Sequence, residues 1–143
     1  MILHFGGGQI RGSEICLIHA IEAIAAKGFD IVVLRKDAHL DEFIADNVSA
    51  ILDESFPEIM FDGSYRSFPL LKYCRSLNRL YRLVKRYKPC VIYCNSGLPC
   101  QLAVPVGKVL NIPVLCHFHH PAPARHFYLW LVKYATKLIF PSN

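Results

Sequence analysis

Short apolar β-runs alternate with helical stretches along the whole chain, and that alternation leaves few folds open. Met1–Phe5 reads as a strand, Ser13–Lys27 as a helix with Leu17, Ile18, Ile21, Ile24 and Ala25 on one face, and Asp30–Leu34 as a second strand. A short helix over His39–Ala45 precedes a third strand, Val48–Leu52, and a turn-rich stretch, Glu54–Ser64. Phe68–Tyr87 reads as a long helix with Leu70, Cys74, Leu77, Leu80, Tyr81 and Val84 turned inward. Cys90–Cys94 is a fourth strand, and Pro99 suits the first turn of a helix reaching Leu110. Pro113–Phe118 is a fifth strand, His126–Ala135 a helix and Lys137–Phe140 a sixth strand. Strands separated by helices require right-handed crossovers, hence a mainly parallel sheet with helices on both faces. The expected class is α/β, Rossmann-like and doubly wound, as a single domain over residues 1–143.

The first strand runs straight into Gly6-Gly7-Gly8-Gln9-Ile10-Arg11-Gly12. Ser13 is placed to cap the following helix, Glu14 suits its dipole and Gly28 can end it. Glycines let the backbone approach a ligand closely. A helix start adds unpaired N–H groups and a positive dipole end, which suit a phosphate or other anion. Gly7, Gly8 and Gly12 are the backbone candidates for such contacts, and Arg11 adds a fixed charge. No Gly-Lys-Ser/Thr follows, so this is not a Walker loop.

Ligands of doubly wound sheets bind beyond the carboxyl ends of the strands. Asn95-Ser96-Gly97, His117–Pro123 and Ser142-Asn143 fall there together with the glycine loop. Cys116-His117-Phe118-His119-His120 invites a metal reading, but in a strand His117 and His119 share a face while His120 points elsewhere. No carboxylate lies nearby in sequence to orient the imidazoles, so no metal is expected.

Charge is strongly segregated. Every Asp and Glu lies at or before Asp62, whereas Gly63 to Asn143 holds twelve Lys or Arg. Arg75, Arg79, Arg82 and Arg86 form one helical stripe that no acidic neighbour in the helix relieves. A solvated face and contact with anionic lipid headgroups both account for it. The six cysteines lie mostly in apolar patterns and read as reduced thiols of a cytosolic protein. No signal peptide or membrane span is visible.

These motifs resemble the N-terminal domain of GT-B-fold, family 4-like retaining glycosyltransferases. The likeness rests on Leu3-His4-Phe5-Gly6-Gly7-Gly8 with Arg11-Gly12-Ser13-Glu14, on Lys88-Pro89-Cys90-Val91-Ile92-Tyr93-Cys94-Asn95, on Val114-Leu115-Cys116-His117-Phe118-His119, and on Lys137-Leu138-Ile139-Phe140-Pro141-Ser142-Asn143. Cys90 stands where that family usually has Asp, and Asn95 where His is common. The resemblance implies transfer from a nucleotide sugar to a lipid or glycan acceptor, without a cofactor. It places the glycine loop and Arg11 near the donor diphosphate, His119 near the transferred sugar as the catalytic residue, and Asn95, His117 and Ser142 on the acceptor side. Most nucleotide-sugar contacts would come from a C-terminal domain, so half an active site is expected here, inactive alone. The setting is cytoplasmic, at a membrane face, with nucleic acid not expected as a partner.

Two other readings stay open. Arg35-Lys36 after the second strand suits the 2′-phosphate of NADP in an oxidoreductase domain. The arginine stripe alone would suit a non-enzymatic module for anionic lipid. Tyr81-x-x-x-Lys85 matches a dehydrogenase acid pair in spacing, but it lies on the basic helix without a serine partner and is read as chance.

Overall fold

A computed structural model describes residues 1–6, 8–54, 70–119 and 131–140. In order these form β1 (Ile2–His4), α1 (Gly12–Ala25), β2 (Val32–Arg35), α2 (Asp41–Ile44), β3 (Ala50–Asp53), α3 (Leu70–Tyr87), β4 (Ile92–Cys94), α4 (Cys100–Leu110), β5 (Val114–His117) and β6 (Lys137–Ile139). Single 3-10 turns at Ala38–Leu40 and Ala45–Asn47 flank α2, and another at Val132–Tyr134 precedes β6.

The strands make one parallel sheet in the order β3-β2-β1-β4-β5-β6. Chain direction across the sheet reverses between β1 and β4, so a crevice opens beyond their carboxyl ends. The expected fold class is thus the observed one. Alternation along the strands builds two apolar layers. Ile2 and Val33 pack with Leu17 and Ile21 of α1 and with Leu40 and Ile44 around α2. Leu3 and Leu34 pack with Leu80 and Val84 of α3 and with the apolar residues of α4. Fully burying one such Leu or Ile contributes about 1.5–3 kcal/mol, which makes these layers the chief support of the strand ends.

Several boundaries differ from the sequence expectations. The second and fourth strands begin at Val32 and Ile92, two residues later than the apolar runs do. Ser13 does not cap α1, because the helix begins one residue earlier, with Arg11 in the capping position. Glu14 does that work: its carboxylate accepts from the Arg11 N–H at 3.1 Å and from the Ser13 hydroxyl at 2.8 Å. In α3 the buried line is Ser76, Leu80 and Val84, with Tyr73, Leu77 and Tyr81 beside it. Leu70 is instead 57% exposed and Cys74 is also at the surface. Packing on α4 starts only where the Tyr73 hydroxyl reaches the Gln101 carbonyl, at 2.9 Å, so the first turn of α3 stands clear. The stretch 55–64, the greater part of the expected helix over His126–Ala135, and Gly7, His120 and Ser142 lie outside the described residues.

Candidate functional site

Four polar side chains meet where β1, β4 and β5 end. His4, the last residue of β1, is fully buried, as are Asn95 just beyond β4 and Glu14 in the first turn of α1. Asn95 Nδ2 lies 3.0 Å from His4 Nδ1 and 3.4 Å from the Ser13 carbonyl, and Asn95 Oδ1 lies 2.7 Å from His119 Nε2. On the far side of His4, Nε2 stands 3.6 Å from Glu14 Oε1, an electrostatic contact longer than a hydrogen bond. Two of the expected site residues, Asn95 and His119, are therefore joined directly, and Gly8, Arg11 and Gly12 lie exposed on the loop next to them.

The loop is shaped by what lies under it. A Cβ on Gly6 would come within 2.5 Å of His4 Cε1 and 2.7 Å of Glu14 Oε1, so glycine is required for the backbone to cross this pair. Gly8 has φ +75°, a conformation that other residues enter at a cost. Its N–H donates to Asp37 Oδ2 at 3.1 Å. Two of the protein's own carboxylates thus meet the anion-seeking end of α1: Glu14 takes the Arg11 amide and Asp37 the Gly8 amide. The sequence expected those amides to face a diphosphate, so a bound phosphate has to share the loop with Asp37. Arg11 and Gly12 are exposed, and with the Arg11 amide taken by Glu14 it is the Arg11 side chain and the Gly12 amide that are offered to an anion.

Asn95-Ser96-Gly97 turns sharply, with Ser96 at φ 145°. The Cys116 thiol holds the Ser96 carbonyl at 3.3 Å. Strain of this kind concentrates at binding sites, where surrounding structure enforces it. His117 Nδ1 and the Tyr93 hydroxyl are hydrogen-bonded at 2.5 Å, and the His117 ring centroid is 4.2 Å from that of His119. The two histidines therefore share a face, as the strand alternation requires.

Burial pushes the His4 pKa down, with Glu14 only partly opposing it, and burial lowers His117 as well. For Glu14, burial favours the neutral acid, but the hydrogen bonds from Ser13 and the backbone outweigh it and leave the pKa lowered. Both histidines bind a proton less readily when folded than unfolded imidazoles do, which take up protons below about pH 6.5. The unfolded state then binds more protons, so stability is complete above that pH and is lost as the pH falls toward the folded values. Urea midpoints are expected to drop from pH 7.5 to 5.5, and His4→Gln to drop less steeply. A flat or rising midpoint contradicts the burial of a neutral His4.

His4, Glu14 and His39 offer ligating atoms all within 4.8 Å of one another. Sequence reasoning missed this cluster, because a histidine ending an apolar strand and a glutamate opening a helix have separate local explanations. A metal there would need the lone pair of His4 Nε2. The Asn95 side chain already occupies Nδ1 at 3.0 Å, so Nε2 is the ring nitrogen left to face Glu14 and His39.

The arginine stripe lies apart from this site. Arg75, Arg79, Arg82 and Arg86 line an open groove of about 490 Å³ with Asn78 and Leu83. Arg79 is tied to the buried Glu54 at 2.5 Å. Among the described residues no carboxylate pairs with Arg75, Arg82 or Arg86, and Leu70 and Leu71 are exposed at the head of the same helix. No helix among the described residues is long and apolar enough to cross a membrane. The Arg35 guanidinium, the expected NADP contact, is taken up by Asp41 at 2.8 Å and by Asp53 at 3.3 Å.

A parallel sheet with a polar cluster at its switch point and a glycine loop beside it makes this a doubly wound, Rossmann-like domain with its candidate site at the strand ends. The chain matches the sequence model of Glycosyltransferase Family 4 over residues 10–143, and it belongs to that family. No curated protein sequence matches it. Among solved structures, MurG of Acinetobacter baumannii superposes with a TM-score of 0.70 at 14% identity, covering 99% of this chain and 43% of MurG. Anabaena Alr3699/HepE in complex with UDP and glucose gives 0.53 at 17% identity, with 88% and 31% covered. The lipopolysaccharide outer core galactosyltransferase WaaB gives 0.54 at 9% identity, with 81% and 32% covered. The chain thus spans less than half the length of each of these proteins.

Proposed function

We propose that this chain is the acceptor-side domain of a glycosyltransferase that moves a sugar from a nucleotide-sugar donor to a glycan or lipid acceptor. The observation that carries the reading is the joining of His119 to β1 through Asn95 and His4, beside the glycine loop, in a chain of this family. The complex of HepE with UDP and glucose supports a nucleotide-sugar donor.

In this reading His119 positions a hydroxyl of the sugar or acceptor, while Arg11 and the amide of Gly12 stabilise charge on the departing diphosphate. His117 and Asn95 stand on the acceptor side, and the same role is proposed for Ser142. Transfer proceeds with retention: the bond from the anomeric carbon to the diphosphate oxygen breaks and a bond to the acceptor oxygen forms on the same face. The acceptor proton passes to the departing phosphate, so neither a protein base nor a metal is invoked. A second domain supplies most nucleotide-sugar contacts, and the chain alone does not turn over.

The stripe of Arg75, Arg79, Arg82 and Arg86, with Leu70 and Leu71, faces an anionic membrane surface on the cytosolic side. A dinucleotide-binding role is disfavoured by the pairing of Arg35 with Asp41 and Asp53.

The test is a panel of nucleotide sugars, with hydrolysis and transfer followed for the chain alone and for the full product of its reading frame. Turnover by the full product and none by the chain alone is expected. Inactivity of the full product with every common donor contradicts the proposal.

A further inference from the structure

We propose that His4, Glu14 and His39 form a site for one divalent ion of the zinc class, set beneath the glycine loop. The transfer step described above uses no metal, so the two proposals stand apart.

The three side chains bring ligating atoms within 4.8 Å of one another from three separate elements: the end of β1, the first turn of α1 and the 3-10 turn that follows β2. The side chains of His4 and Glu14 are only 2% and 6% exposed, and that of His39 is 14% exposed. Among the described residues, His4 Nε2 and both ring nitrogens of His39 are buried and make no hydrogen bond. Buried polar atoms are nearly always paired in native proteins, so three imidazole nitrogens left over at one point mark a place built for a ligand. Two imidazoles beside a carboxylate offer lone pairs, which select a cation and repel a phosphate.

Glu14 is already set for such an ion. Its Oε2 accepts from the Arg11 N–H and the Ser13 hydroxyl, which leaves Oε1 turned to His4 Nε2 at 3.6 Å. Ligands held about 2.0–2.1 Å from a tetrahedral zinc lie roughly 3.3 Å from one another, so this pair needs little adjustment. His39 completes the set by moving a ring nitrogen inward from at most 4.8 Å. Each imidazole also has an orienting partner on its other nitrogen. Asp37 Oδ1 lies 3.2 Å from His39 Nδ1, where a carboxylate commonly steadies a zinc-bound ring. His4 Nδ1 faces the Asn95 amide at 3.0 Å. Ligation through Nε2 leaves the His4 proton on Nδ1. The amide then turns its oxygen to that proton and its nitrogen to His119, giving up the long 3.4 Å contact with the Ser13 carbonyl.

Glu14 and Asp37 together balance the two charges of the ion. Magnesium and calcium favour sites made of oxygen, whereas two imidazoles with a carboxylate suit zinc and its transition-metal neighbours. A bound ion ties β1, α1 and the turn after β2 together under Gly6. The Asp37 carboxylate that steadies His39 also holds the Gly8 amide, at 3.1 Å, so loading is linked to the shape of the glycine loop.

The test is zinc uptake by the chain, stripped of metal with a chelator and titrated with zinc chloride against a chromophoric competitor. One ion per chain is expected, held at micromolar concentration or tighter. Cobalt(II) in its place should give the visible bands of a tetrahedral ion with no thiolate charge-transfer band. Losing an orienting partner weakens metal binding roughly 10–100-fold, so Asp37→Asn should fall in that range and His39→Ala, which removes a ligand, beyond it. Cys74→Ser and Cys90→Ser, at exposed thiols on other parts of the chain, should leave uptake unchanged. No uptake by the wild type, a thiolate band with cobalt, or uptake unaffected by His39→Ala overturns the inference. Should His39→Ala fail to fold, ring-nitrogen spectra of the wild type decide it. Zinc must shift His4 and His39 together, and a shift that leaves either one unmoved overturns the inference.

Discussion

Gly6→Ala is expected to lower the unfolding free energy by roughly 1–3 kcal/mol, the usual cost of inserting a methyl group into a packed interior. The new Cβ would lie 2.5 Å from His4 Cε1, 2.6 Å from His4 Nε2 and 2.7 Å from Glu14 Oε1. Both side chains are buried, and both are held elsewhere: His4 by Asn95, Glu14 by Ser13 and the Arg11 amide. Neither can swing into solvent without leaving polar atoms unpaired. The damage therefore extends to the site, because moving His4 releases Asn95 from one of its partners. Gly12→Ala is the matched control. Nothing lies within 4 Å of a Cβ there, so the variant should unfold at about the wild-type urea concentration. Equal midpoints for Gly6→Ala and the wild type would mean that the glycine loop does not cross His4 and Glu14 as described.

The second large effect concerns the arginines. Changing Arg75, Arg82 and Arg86 to Gln together should weaken binding to vesicles rich in anionic lipid by about 3 kcal/mol, at about 1 kcal/mol for each basic residue near the surface. That corresponds to a loss of roughly a hundredfold or more in affinity. Arg79 is left in place because Glu54 already engages it. Flotation with anionic and with uncharged vesicles gives the comparison. Binding unchanged by the triple substitution, or equal on the two vesicle types, would return the stripe to a solvated face.

The sheet was legible in the sequence because its strands are short apolar runs separated by helices of sufficient length, and parallel pairing leaves little choice of topology. Strand ends were legible too. The glycine loop, Asn95 and His119 fall where the chain leaves the sheet, and the structure brings Asn95 and His119 together. The partners of these residues were not legible. His4 and Asn95 are 91 residues apart and meet only because β1 pairs with β4. A local reading of Glu14 yields a favourable charge at a helix start, and its burial against His4 becomes visible only once the loop has folded over both. The cap was misassigned to Ser13 for the same reason, since a serine at a helix start is a strong local signal and Glu14 reaching back outweighs it. Asp37 on the Gly8 amide is a contact across 29 residues that no spacing announces. A histidine closing an apolar strand, just before glycines, with a glutamate ten residues on, is the pattern that would have pointed to this pair.

The central claim is that transfer takes place at the β1–β4 switch point and depends on His119. The direct measurement compares nucleotide-sugar transfer by the full product of the reading frame in three forms: wild type, His119→Ala, and His19→Ala at an exposed site on α1. His119→Ala should lower kcat by on the order of a hundredfold, the scale of loss when a reacting group is misplaced by about an ångström, with His19→Ala unchanged. Wild-type turnover in His119→Ala would contradict the account.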